Sequence, residues 1–201
     1  CKKNIKWWEK NRFNSEFELF EIKQTIDYLE KEFQMEGSPR FSYQFNGKGW
    51  IRKSNNYERH LLPVDLNAQL CDYYQNLGVL SLIFNESDLS QHYFDKAKNL
   101  QEAANNILWD SEKQFFFDYD CKIHELQPLF SITGLWALYG GLATKQKANK
   151  LMEYIKNSKF FFTNNPIPSL AQDDPFHSPK PWYGPISLQH VLWIIVGLKR
   201  Y

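Results

Sequence analysis

Two long amphipathic segments, joined by a four-residue polar turn, constrain the fold of this chain most strongly. Apolar residues recur every three or four positions over residues 64–84, and the same spacing returns over residues 88–108. This spacing predicts two α-helices, and the short turn at 85–88 requires them to run antiparallel. Pro63 suits the start of the first helix, and Ser87 or Asp88 is expected to cap the second. The sequence therefore predicts an all-α fold of antiparallel helix hairpins.

Shorter helical patterns flank this hairpin. Helices are expected over residues 1–13, 19–33, 131–139, 144–156 and 187–201. Ser15 and Glu18 have the spacing of a capping box for the second of these, and Thr144 is a candidate cap for the fourth. The last helix is apolar nearly all round, so we expect it to be buried.

The remaining segments are predicted to be irregular, apart from one small strand. Residues 115–120 are too aromatic and too short for a helix and favour a strand. Residues 36–62 and 157–186 are predicted as long loops at the same end of the helices. Loops of this length are uncommon unless they carry function.

Composition excludes several classes of protein. The 24 Lys and Arg against 23 Asp and Glu give a net charge of +1, which argues against a nucleic-acid-binding face. Cysteines at positions 1, 71 and 121 form no CxxC pair, so neither a disulfide framework nor a zinc site is expected. No apolar run approaches the ~18–20 residues of a membrane span. Compartment stays open between the cytoplasm and the bacterial periplasm, and Cys1 is compatible with a lipoprotein.

Few residues suggest chemistry on their own. The five histidines are scattered, and His190 stands out because it lies in the apolar last helix. Glu36 follows a predicted helix end, with a Gly-Ser-Pro turn and Arg40 after it. Three interpretations of Glu36 remain open: a general acid with a raised pKa, a carboxylate kept ionised by Arg40, or a solvated loop residue.

Several sequence blocks stand out along the chain. They are EFQMEGSPRF at 32–41, LPVDLNA at 62–68, ILWD and FFFDYD within 107–120, FS with LWALYGGLAT within 130–144, and PSLA, DD and WYGP within 168–185. In this order the blocks resemble those of the trehalase-like inverting α-glycosidases. This clan, glycoside hydrolase families 37 and 63, includes trehalases, processing α-glucosidases and mannosylglycerate hydrolases.

The resemblance implies an (α/α)6 toroid that binds a sugar in a funnel and hydrolyses an α-glycosidic bond with inversion. Glu36 aligns with the family's general acid, although the family has Asp there. The sugar-binding positions map to Arg40, Asp65, Asn67, Trp182 and Tyr183, the last of which replaces a family Arg. The implied partner is a disaccharide or oligosaccharide, and no cofactor or metal is implied.

The family's general base is a Glu that comes well after the WRGP block, yet no Glu follows Glu153 here. We therefore expect a single partial catalytic domain over residues 1–201, about half of a toroid at ~55–65 residues per hairpin. The base would lie beyond Tyr201, and this chain alone would be inactive. Uncovered helix flanks are expected to cause self-association; they include Trp7, Trp8, Trp193, Ile194 and Ile195.

Two alternatives remain open at the level of sequence. The altered residues at positions 36 and 183 also fit a non-catalytic carbohydrate-binding relative. The helix hairpins would equally suit a scaffold that binds protein, which would show no groove where acidic and aromatic groups converge.

Overall fold

The computed structural model describes residues 2–25, 40, 43–45, 49–52, 58–164, 167–180 and 183–201. Within these ranges the chain forms six helices: α1 Lys2–Arg12, α2 Val64–Ile83, α3 Ser87–Ile107, α4 Trp136–Tyr139, α5 Lys145–Ile155 and α6 Leu188–Leu198. Ten short strands accompany them: β1 Phe13–Asn14, β2 Leu19–Phe20, β3 Ile22–Thr25, β4 Tyr43–Phe45, β5 Trp50–Arg52, β6 Glu58–Leu62, β7 Trp109–Asp110, β8 Phe115–Phe116, β9 Asp118–Asp120 and β10 Glu125–Gln127.

The α2–α3 hairpin confirms the main prediction from periodicity. Tyr74 of α2 and Tyr93 of α3 are both buried, and their ring centroids lie 6.4 Å apart. The predicted cap of α3 is wrong: Ser87 is the first helical residue, and Glu86 stands at the cap position without a side-chain bond. The backbone makes the turn instead, since Glu86 N donates to Ser81 O at 2.8 Å.

A four-stranded antiparallel sheet with the order β10–β9–β6–β3 lies beside the hairpin. Strands also occupy parts of residues 36–62 that were predicted as loop. The predicted helix from residue 19 is wrong over 19–25, where Leu19–Phe20 pairs with Phe13–Asn14 and Ile22–Thr25 pairs with Glu58–Leu62. The fold is therefore mainly helical with small sheets, rather than all-α.

A fully buried ion pair fixes the middle of this sheet. Arg59 of β6 donates from Nε to Asp120 of β9 at 3.0 Å, and neither side chain is exposed. Arg59 Nη2 also donates to Gln127 of β10 at 2.9 Å. Because a buried charge is costly unless it is paired, this arrangement strongly favours one register of the three strands.

Close backbone contacts place α4 between α2 and α6. A side chain at Gly140 would bring a Cβ to 2.2 Å from Ala68 O, and one at Gly197 would come to 2.5 Å from Tyr139 N. Only glycine permits such approaches at these two positions.

Helix α6 is buried on one face, not all round as predicted. Ile194 is fully buried, whereas Leu188 is 75% and Leu192 57% exposed. Of the predicted uncovered flank, Trp7 and Ile195 are about half exposed, and Ile194 contradicts the prediction.

Other local predictions have clear outcomes. Thr144 caps α5 as predicted, accepting from Lys147 N at 3.3 Å. Cys71 and Cys121 are free thiols. Over the part of the chain described, none of the helices is both long and apolar enough to pass through a bilayer.

Candidate functional site

Arg40 lies between two carboxylates and forms the centre of the candidate site. Its Nη1 donates to both oxygens of Asp65, at 3.0 and 3.1 Å. On its other edge, Nη2 donates to Asp118 Oδ1 at 3.3 Å, and Nε pairs with Asp118 Oδ2. The Arg40 side chain is only 12% exposed, so the centre of the cluster is largely buried.

The sheet and the start of α2 bring the two carboxylates together. Asp65 is in the first turn of α2, directly after strand β6, and Asp118 begins β9, which pairs with β6. The backbone N–H of Val64, at the helix start, has no acceptor within the helix and donates instead to Asp118 Oδ1 at 2.9 Å. Asp118 therefore links the sheet to the N-terminus of α2, where a negative charge is favoured by the helix dipole.

Burial and charge shift the pKa values of this cluster. Burial raises the pKa of Asp118, repulsion from Asp65 adds to the rise, and attraction by Arg40 opposes it. Burial disfavours the charge on Arg40, but Asp118 and Asp65 outweigh it and raise the Arg40 pKa. Two carboxylates thus face a permanent cation, and the cluster has an excess of negative charge when both are ionised.

His190 of α6 lies near enough to Asp65 and Arg40 for their charges to influence its pKa. Its ring packs edge-on to Trp136, with centroids 5.0 Å apart. Burial lowers the pKa of His190, and Asp65 opposes that shift.

A small cavity adjoins Arg40 and Asp118. Gln127, Leu129 and Ser131 line it on one side, and its volume of about 10 Å³ suits roughly one water molecule. The cavity is too small for a sugar ring, so any substrate must approach the cluster from another side.

The structure locates some of the site residues predicted from the sequence and does not describe others. Arg40 and Asp65 lie together as described, and Tyr183 is buried, with only 5% exposed. Glu36 and Trp182 lie outside the described residues. Asp118 was missing from the predicted site, although it belongs to the FFFDYD block; only the pairing of β9 with β6 places it beside Arg40.

Asn67 has a structural role in the hairpin β1–β2. Its Oδ1 accepts from Phe20 N at 2.8 Å, and its Nδ2 donates to Phe20 O at 3.0 Å and to Pro63 O at 2.8 Å. The residue is fully buried, and these bonds use both polar groups of its amide. We therefore leave Asn67 out of the sugar-binding residues proposed below.

Among the described residues, no group of three or more His, Cys, Asp or Glu side chains is arranged to hold a metal ion. The chemistry that the cluster can perform is that of two carboxylates and a guanidinium.

These observations define a mainly helical domain that has a buried arginine–carboxylate cluster at the start of a helix. The sequence model of the Trehalase family matches residues 34–201. The chain belongs to the trehalase family, within the trehalase-like glycoside hydrolase clan.

Two trehalases are similar to this chain in sequence, and one solved structure is similar to it in fold. The cytosolic neutral trehalase of Saccharomyces cerevisiae is 46% identical over 104 residues, which are 47% of this chain and 14% of that protein. A trehalase of Oryctolagus cuniculus is 35% identical over 118 residues, 56% of this chain and 20% of that protein. A GH63 mannosylglycerate hydrolase from Thermus thermophilus, solved with Tris, superposes with a TM-score of 0.61 at 20% identity, over 71% of this chain and 34% of that one. In three curated relatives, the aligned part of this chain spans 14–29% of the length of the relative.

Proposed function

We propose that this chain is part of a glycosidase that hydrolyses an α-glycosidic bond with inversion of configuration. The single observation that carries the proposal is the Arg40–Asp65–Asp118 cluster. Arg40 lies four residues after Glu36 in sequence, and all three residues of the cluster fall within the range matched by the family. In the proposed arrangement these residues belong to about half of an (α/α)6 toroid, and the cluster lies at the base of its sugar-binding funnel.

Glu36 is the proposed general acid, which protonates the leaving oxygen. Asp65 accepts a hydrogen bond from a sugar hydroxyl, while Arg40 fixes the Asp65 carboxylate from behind. The excess negative charge of the cluster favours an oxocarbenium-like transition state. Trp182 is proposed to stack on the sugar ring.

The general base is not assigned among these residues. No Glu follows Glu153 in the sequence, and the chain spans a minor part of each relative. We therefore propose that the 201 residues supply the acid side of the site and do not hydrolyse a glycoside alone. The proposed substrates are trehalose, another α-glucoside or a mannosylglycerate-like compound.

The test uses the full catalytic domain that carries these residues, assayed against trehalose and aryl α-glucosides. Glu36→Gln should lower turnover by about 10²–10⁴-fold and leave sugar binding largely intact, because the amide cannot donate the acid's proton. Glu112→Gln, at an exposed turn position, is the matched control and should leave turnover unchanged.

Unchanged turnover in Glu36→Gln would place the acid elsewhere. A gain in turnover for Glu36→Asp would show that the added methylene at position 36 displaces the proton donor. The burial of Tyr183, where the family carries an Arg, favours a second candidate, a carbohydrate-binding relative without turnover. Sugar binding without hydrolysis by the full domain would support that candidate.

A further inference from the structure

A second pocket, with a volume of about 420 Å³, lies between the two long connecting regions of the chain. Gly49 contributes from one region, and Phe160, Asp173, Asp174 and Phe176 contribute from the other. Ligand pockets in proteins commonly have volumes of about 300–1,000 Å³. The pocket is therefore large enough for a small organic ligand, unlike the cavity beside Arg40.

The pocket is separate from the Arg40 cluster. Residues 127–131 lie between them, and their side chains alternate. Gln127, Leu129 and Ser131 line the cavity beside Arg40, whereas Pro128 and Phe130 line the larger pocket. Alternation with a period of two is the signature of extended chain, whose successive side chains point to opposite faces. The two spaces thus lie on opposite faces of one segment.

Aromatic rings form a rigid wall of the pocket. The ring of Phe130 packs against Phe117 and Phe160, with centroids 5.0 Å away in both cases. Tyr154 packs on Phe160 at 4.7 Å and donates from its hydroxyl to Lys113 O. Phe130, Phe160 and Phe176 are only partly buried, so each keeps some of its surface towards the pocket.

Two carboxylates form the polar edge. Asp174 Oδ1 accepts from Phe176 N at 2.9 Å, and no described residue donates to Asp174 Oδ2 or to the Asp173 carboxylate. The loop holds both in place, since Asp173 N donates to Lys159 O and Asp174 N to Ala171 O. Burial raises the pKa of Asp174, with repulsion from Asp173 adding to it, so a hydrogen-bond donor arriving at this edge would be favourable.

The lining decides which ligand chemistry fits. Two carboxylates repel an anion, and in the described residues nothing here forms a group of three metal-binding side chains. A suitable ligand presents an apolar face to the phenylalanine rings and several hydrogen-bond donors to the acidic edge. A pyranose ring has both, in its C–H face and its hydroxyl groups.

We propose that this pocket binds a neutral pyranose, as a second saccharide site on the opposite face of residues 127–131 from the Arg40 cluster. The site holds a sugar without cleaving it. Its occupancy does not depend on whether the domain hydrolyses glycosides, so the two proposals fail independently.

The experiment is NMR titration of the ¹⁵N-labelled 201-residue chain with methyl α-glucoside and with trehalose. The amide of Phe176 is the reporter, because it donates to Asp174 Oδ1 and must respond to a ligand at that carboxylate. We expect saturable shifts at Phe176 and Gly49, with a Kd in the weak range of about 1–100 mM. Asp174→Asn should raise that Kd about tenfold or more, since a hydrogen bond to a charged acceptor is replaced by one to a neutral amide.

Two control variants separate the sites. Asp95→Asn changes an exposed carboxylate on α3 and should leave the Kd unchanged. Arg40→Lys alters the proposed catalytic cluster and should also leave the Kd measured at Phe176 unchanged. Phe176→Ala, followed at Gly49, checks the aromatic contribution and should weaken binding as well. Glucose 6-phosphate should not shift either reporter, because its charge is repelled.

Three results would each overturn the proposal. The first is the absence of shifts at Phe176 and Gly49 over the whole titration. The second is a Kd that responds to Arg40→Lys but not to Asp174→Asn, which would assign the sugar to the Arg40 cluster. The third is a clear preference for tetramethylammonium over methyl α-glucoside, which would make the pocket a cation cage instead.

Discussion

Replacement of Arg59 by methionine tests how the two carboxylates of the candidate site are held in place. Arg59 lies on β6, only five residues before Val64, and its partner Asp120 lies on β9 two residues after Asp118. The pair therefore fixes the register that brings Asp118 to the start of α2. Methionine keeps most of the volume of the arginine stem but removes the charge and the hydrogen bonds.

The structure gives the magnitude. Both side chains of the pair are fully buried, and Arg59 also donates to Gln127 at 2.9 Å. Arg59→Met leaves Asp120 without its cation. Removing one partner of a buried ion pair in this way lowers the free energy of unfolding by about 3–5 kcal/mol. With a urea m-value of about 2–3 kcal/mol/M, this predicts a fall of about 1–2.5 M in the unfolding midpoint.

The measurement is urea unfolding followed by circular dichroism. Arg59→Met combined with Asp120→Leu should recover much of the loss, because the uncompensated charge is then also removed. The matched control is Lys98→Met. Lys98 pairs with Glu102 at 3.8 Å, but the two side chains are 71% and 63% exposed, so the effect should stay within about 0.5 kcal/mol.

The reasoning would be refuted if Arg59→Met cost less than about 1 kcal/mol, the ordinary effect of a point substitution. It would also be refuted if the double variant were as unstable as the sum of the two single variants, since the energetic coupling between the residues would then be absent.

Two further predictions concern α6. Burial lowers the pKa of His190 in the folded chain below its ordinary value. As pH falls through about 6.5, the unfolded chain therefore binds more protons than the folded chain. The free energy of unfolding should be highest above that pH and should decline below it. His190→Gln should flatten this decline in urea midpoints measured from about pH 7.5 to 5, and an unchanged slope would exclude His190 as its source. Leu192 is 57% exposed on an apolar face, so the wild-type chain should self-associate and Leu192→Lys should shift it towards monomer in sedimentation velocity. Gln189→Lys on the same helix should have little effect, and a monomeric wild type would disprove the prediction.

The parts of the fold that were predictable are those determined within one segment. The two long helices end within about one residue of the limits set by apolar periodicity, because twenty residues of consistent spacing leave little ambiguity. The cap by Thr144 is equally local.

The parts that were not predictable depend on contacts between distant residues. Residues 19–25 have apolar spacing that suits a helix, yet Asn67, 47 positions away, binds the backbone of Phe20 on both sides. Strand β6 was also missed, because it has a charged residue, Arg59, at a fully buried position. Asp120 on the neighbouring strand helps to make that burial favourable, and no local pattern indicates this partner.

In the candidate site, too, the sequence predicts what is local and misses what depends on distant contacts. Asp65 and Asn67 belong to one motif and are two positions apart, but Asp65 faces Arg40 while Asn67 is used entirely by the backbone of Phe20 and Pro63. A motif match identifies both residues and cannot separate their roles. The direction of each side chain at the start of α2 separates them.

The geometry of Arg40 also determines what this residue can do for a substrate. Its Nη1 is bound to Asp65, and its Nη2 and Nε are bound to Asp118, so few of its five N–H donors remain for a sugar. Its contribution is therefore to fix the position of Asp65 and to hold two carboxylates close together. A lysine could not do both, because a single ammonium cannot present two parallel pairs of donors to two carboxylates. If Asp65 binds the substrate hydroxyl, Arg40 determines where that hydroxyl lies relative to the proton donor at position 36, and an error of about 1 Å there can cost about a hundredfold in rate.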